Sequence, residues 1–167
     1  RPYAYGECLN DLGHLERRRG HVEMAQRVLQ SARDHFERHG SVRGSATATR
    51  GLADVAQSRG DYARAHAYFE EALEGLRKVG HEPRIAACLN GLGDNARLRG
   101  GFKAARNYYR QALDIYQATQ SPHADYVTFN IGLSFLQQEE LEEATQVMTA
   151  LASKLENGAH PPLRLLV

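Results

Sequence analysis

Residues 48–72 read ATRGLADVAQSRGDYARAHAYFEEA, and 40 positions later residues 88–112 read CLNGLGDNARLRGGFKAARNYYRQA. The same frame moved back by 40 gives residues 8–32, CLNDLGHLERRRGHVEMAQRVLQSA. Superposed, the three copies align Leu12-Gly13 with Leu52-Ala53 and Leu92-Gly93. They align Gly20 with Gly60 and Gly100, Ala25 with Ala65 and Ala105, and Ala32 with Ala72 and Ala112. A fixed period of this length marks stacked supersecondary units rather than one globular core.

Each unit predicts two helices. In the first unit these run from about Ala4 to Arg19, with apolar positions at Cys8, Leu9, Leu12 and Leu15, and from about Val22 to Arg38, with Met24, Ala25, Val28, Leu29, Ala32 and Phe36. The spacings are helical and not the alternation of a strand. Arg19-Gly20-His21, Arg59-Gly60-Asp61 and Arg99-Gly100-Gly101 separate the helices. Glycine suits the left-handed position after a helix end, and Asp61 is suited to cap the next helix. Gly40 and Gly80 close the second helices. Gly13, Ala53 and Gly93 are expected where helices approach closely, with Leu29, Phe69 and Tyr109 filling the space beside them. The units fall at about 4–40, 43–80, 83–120 and 122–157. The fourth is offset by one residue and carries Glu139 where the turn glycine should stand; 158–167, with Pro161-Pro162-Leu163, reads as the start of a truncated fifth. The whole is expected to be an all-α solenoid, and the start at Arg1-Pro2 suggests a fragment of a longer chain.

Composition narrows the function. Hydrophobic residues at 42% and charged residues at 25% fit a folded soluble chain. A net charge of +1 speaks against a nucleic-acid surface, and no apolar run reaches the roughly 18 residues of a membrane span. Cys8 and Cys88 occupy one repeat position two units apart, beyond disulfide reach, and are expected to be buried apolar residues of a reducing, cytoplasmic environment. Arginine outnumbers lysine 18 to 3, a composition of GC-rich bacterial genomes.

Leu89-x-x-Leu92-Gly93, Ala105-x-x-x-Tyr109 and Ala112 together resemble the tetratricopeptide repeat, in the 40-residue form of polarity adaptors and bacterial signalling proteins. The resemblance covers about residues 4–156. It departs at the two aromatic positions of the first helix, where Leu9, Thr49 and Leu89, and then Glu16, Ala56 and Ala96, stand instead. It implies a right-handed superhelix whose first helices line a concave groove, a site for extended peptides or helices.

The face of the first helices turned away from the packing leucines holds the candidate partner-binding residues. Unit one offers Glu7, Asn10, His14 and Arg17; unit two Thr47, Arg50, Asp54 and Gln57; unit three Ala87, Asn90, Asp94 and Arg97. Asn10, Arg50 and Asn90 form a column, and Asn130 lies beside the apolar residues of the fourth unit. Asparagine both donates and accepts, so it can hold a peptide backbone; Arg17, Arg50 and Arg97 can grip carboxylates. An acidic or mixed-charge peptide is the expected ligand. Asn10, His14, Gly51, Ala87 and Gly91 replace the lysine-asparagine-arginine clamp of chaperone-tail binders, so that ligand is not expected. Unit four presents Tyr126, Phe129, Leu133 and Leu136, an apolar contact patch for downstream repeats, a partner or a second copy.

No catalytic constellation, cofactor motif or metal set stands out. His35 and His39 share a helical face without a third ligand, Gly91-Leu92-Gly93 lacks the strand of a nucleotide loop, and Glu139-Glu140 with Glu142-Glu143 read as a solvated cluster at a helix start. The expected function is a protein-protein interaction module and scaffold, part of a bacterial signalling or regulatory protein, with its partner another protein or another domain of the same chain. No membrane or nucleic-acid partner and no enzymatic activity are expected. The alternative is a ligand-sensing or oligomerising solenoid that binds a small molecule.

Overall fold

The computed structural model describes residues 2–159. It contains eight helices: α1 (Pro2–Arg18), α2 (Val22–Arg38), α3 (Val42–Ser58), α4 (Tyr62–Lys78), α5 (Glu82–Leu98), α6 (Phe102–Ala118), α7 (His123–Gln137) and α8 (Leu141–Ala159). There is no strand among the described residues. α8 runs through Ala159, and the segment from His160 onward, where a further first helix was expected, lies outside the described residues.

The turns show why the chain reverses where it does. His21, Asp61 and Gly101 each donate their backbone N–H to the carbonyl five residues back, at Glu16, Ala56 and Ala96. This closure needs a left-handed residue in between, and Gly20, Gly60 and Gly100 supply it with φ near +80° (82°, 78° and 78°). Glu140 closes on Phe135 in the same manner, but the left-handed residue is Glu139, at φ 63°. Ser41 and Asp61 cap their helices, accepting from the N–H groups of Gly44 at 3.2 Å and Arg64 at 3.1 Å.

Packing is carried by a large residue of each second helix set against small residues of the first helices. A Cβ on Gly13 or on Gly51 would lie 2.5 or 2.7 Å from Leu29, so this side chain of α2 is wedged between α1 and α3. Phe69 of α4 fills the hollow at Gly91 of α5 in the same way, Tyr109 of α6 that at Gly93, and Met148 of α8 that at Gly132. These contacts join Phe69, Leu92, Ala105 and Tyr109 into one continuous core running through α3–α7.

The first helices α1, α3, α5 and α7 touch in succession, whereas among the described residues no second helix packs its backbone on the next second helix. The stack is therefore tighter on the first-helix side, which forms its inner, concave face. On the other side only long side chains span the gap: Arg33 reaches Glu71 at 2.9 Å, and the Tyr108 hydroxyl donates to Glu70 at 3.3 Å.

α1 departs from the expected inward face. Leu12 and Leu15 remain 41% and 42% exposed and Cys8 is exposed, while their counterparts Leu52, Val55 and Cys88 are buried. The expectation of two buried cysteines holds for Cys88 alone. The reason is positional: α2 packs over the face of α3 that carries Leu52 and Val55, and no described helix covers the same face of α1.

Candidate binding groove

The candidate residues lie on the first helices and are less free than an outward polar face would be. Arg50 and Asp54, one turn apart on α3, pair at 3.1 Å. On α5, Asp94 accepts from the Tyr109 hydroxyl at 2.7 Å and lies 3.7 Å from Arg97, which also donates to Tyr109 and, at 3.1 Å, to Gln137 of the next unit. Burial pushes the Asp94 carboxyl above its ordinary range, against the opposing pull of Tyr109 and Arg97. Two of the three arginines assigned to carboxylate capture thus already hold carboxylates of their own helix.

The asparagine column divides. Asn10 is only 8% exposed and Asn130 is buried, so neither side chain stands open to solvent. Asn130 donates to the side-chain oxygen of Asn90 at 3.4 Å, tying α7 to α5 along the groove. Neighbouring first helices approach closely here, so residues on adjacent helices meet each other before they meet solvent.

His14 sits at the centre of the polar stretch, its ring close enough that a Cβ on Gly51 would be 3.2 Å away. Burial lowers its pKa, and the cations Arg50 and Arg17 add to the effect against Asp54 and Asp11. Cys88 of α5 is buried, and burial pushes its thiol up to about 12.

The groove also holds buried polar atoms with no partner. Among the described residues these include the side-chain oxygens of Asn10 and Gln57, Nε2 of His14, and Nε of Arg17 and Arg84. Arg84 escaped the sequence reading. Its signal is a charge at a position where the first two units carry Ala4 and Gly44. Together with Tyr3, Glu7, Asn10, Asp11 and Thr47 it lines a recess of about 230 Å3 that spans α1, α3 and α5.

In unit four, Tyr126, Phe129 and Leu136 are exposed and Leu133 is half-buried. The acidic run before α8 is not simply solvated. Glu140 pairs at 3.3 Å with Arg106, a guanidinium only 6% exposed that lies 4.2 Å over the Phe135 ring and donates to Gln138 at 3.0 Å. His35 and His39 stack at 4.2 Å, and a ring nitrogen of His39 bonds the His35 carbonyl at 2.7 Å.

Two tetratricopeptide repeat profiles match the sequence, one over residues 44–118 and one over 90–159. The chain belongs to the tetratricopeptide repeat family. A search of curated proteins by sequence gives no significant match. Among solved structures, BtubC (BKLC) from P. vanneervenii superposes with a TM-score of 0.81 at 22% identity, over 98% of this chain and 69% of that one. A Rap protein complexed with competence and sporulation factor gives 0.87 at 15% identity, over 93% of this chain and 44% of the other. A signal transduction ATPase with a tetratricopeptide repeat sensor, from Pyrococcus horikoshii, gives 0.79 at 17%, over 93% and 24%. At these identities the likeness is one of fold. The tetratricopeptide array spans less than half of the latter two chains. No helix among the described residues is long and apolar enough to cross a membrane.

Proposed function

We propose that this tetratricopeptide array is a protein-interaction module whose concave face holds an extended segment of a partner. The observation that carries the reading is the concentration of unpartnered buried polar atoms on that face, at Asn10, His14, Arg17, Gln57 and Arg84. Buried polar groups in native proteins are nearly always hydrogen-bonded. A peptide backbone, which offers a donor and an acceptor at every residue, supplies the missing partners along a line of this kind. The Rap protein solved with competence and sporulation factor supports a ligand-binding role for a similar fold. The module works within a larger cytoplasmic regulator of bacterial signalling, binding another protein or another domain of its own chain, and it acts as a scaffold, not as an enzyme. The exposed Tyr126, Phe129 and Leu136 extend the same face and give the bound segment, or a second copy, an apolar anchor.

The test is capture of partners from source-cell lysate on the parent and on an Arg17→Ala, Gln57→Ala variant of matching helix content. A partner held by the parent and lost by the variant supports the groove. Equal capture by both places binding elsewhere and overturns it.

Small-molecule sensing is the second reading, favoured by one observation. Gly75 stands where the flanking units carry His35 and Ile115. A cavity of about 420 Å3 lies there, bounded by Val42, Ala46, Thr49 and Glu71 among others. Binding there would be blocked by Gly75→Ile and untouched by the groove variant.

A further inference from the structure

Resting on the groove reading, we propose that the recess between α1, α3 and α5 is a subsite for a basic side chain of the bound segment. Its ammonium or guanidinium would lie among Glu7, Asp11 and the Asn10 oxygen.

Three acceptors line this recess from consecutive turns of α1. Glu7 and Asp11 are exposed carboxylates, without a hydrogen bond or ion pair shown to any described residue. Asn10 between them is more than nine-tenths buried, and its side-chain oxygen has no donor. A cation with several N–H groups satisfies all three at once, because ammonium and guanidinium donate and never accept. Among the residues that line the recess, the carboxylates of Glu7 and Asp11 outnumber the one cation, Arg84; Arg43 sits behind Tyr3, with its guanidinium engaged by the hydroxyl and ring of that residue.

Arg84 fixes the rest of the pose. Its Nε is buried without an acceptor, and a carbonyl of the ligand backbone supplies one. The aliphatic stem of a lysine or arginine then runs along Tyr3, which Arg43 holds in place through its hydroxyl and from 5.3 Å off the ring. A recess of about 230 Å3 admits one long side chain with part of its backbone. An acidic side chain would meet two carboxylates, so this end of the groove selects against the acidic ligand that the arginines further along suggest.

The experiment is selection of a displayed random-peptide library on the parent chain, on Glu7→Gln, Asp11→Asn, and on the Arg17→Ala, Gln57→Ala groove variant. Both pocket substitutions keep size and lie at exposed positions. Parent-selected peptides are expected to share Lys or Arg at one position. The pocket variant should weaken the best of them by about tenfold or more, the effect of losing charge-assisted bonds, and a norleucine replacement at that position should do the same on the parent. Peptides that need the groove yet show no basic preference, or that bind the pocket variant equally well, overturn this subsite and leave the groove reading intact. Peptides indifferent to the groove variant, or no selection at all, overturn both.

Discussion

His14 and Tyr109 show what single residues do on the inner face. Burial lowers the His14 pKa below the ordinary 6.5, and the nearby positive charges of Arg50 and Arg17 add to the effect. A histidine depressed in the folded state contributes stability above its unfolded pKa and loses it as the pH falls through the window below 6.5. The parent is therefore expected to lose unfolding free energy relative to His14→Gln between pH 7.5 and 5.5, read by urea denaturation at both values; parallel losses would contradict the burial argument. Tyr109 donates its hydroxyl to Asp94 from a fully buried ring. Tyr109→Phe keeps the ring, as Phe69 does in the unit before, but removes that donor. It should cost about 1–3 kcal/mol in the same assay, the range for hydrogen bonds to charged groups and for stranded buried acceptors.

At the scale of an element, helix ends follow local backbone chemistry and helix faces follow neighbours. The turn before α8 places Glu139 at φ 63°, where three other units hold glycine. A side chain in that conformation costs roughly 1–2 kcal/mol. Glu139→Gly is expected to raise stability by about 1 kcal/mol, visible as a higher urea midpoint with an unchanged slope. The substitution leaves the neighbouring Glu140–Arg106 pair in place. That pair was illegible in the sequence, because four glutamates at a helix start read as a solvated cluster until α6 brings a buried guanidinium against one of them. Turn positions were legible for the opposite reason: left-handed backbone has few solutions, and Gly20, Gly60 and Gly100 name them directly.

Across the whole molecule, stacking decides the worth of identical residues. Leu12 and Leu52 share a repeat position, yet one is 41% exposed and the other 2%. Leu52→Ala should cost about 2–5 kcal/mol, the range for a truncated core leucine, and Leu12→Ala under about 1 kcal/mol, as for an exposed site. Comparable losses would mean that α1 is covered in solution, as it would be in an end-to-end assembly, and sedimentation of the parent would show it. The same logic explains why the site was only half read. The 40-residue frame picked out the face that carries Asn10, His14, Arg50 and Asp94, but it could not say that Asn130 would turn to Asn90 or that Arg50 would be held by Asp54.

Periodicity by itself determined the helix pairs, their turns and the close approaches at Gly13 and Gly93 beside Leu29 and Tyr109, because a repeated helix contact leaves the same residues in every copy; the seats at Gly51 and Gly91 came only from the packed helices. The tertiary structure alone decided which polar atoms are left without partners. Arg84, Glu7 and Asn10 lie on two helices separated by a whole unit, and only the curvature of the stack, tighter along its first helices, brings them to one recess.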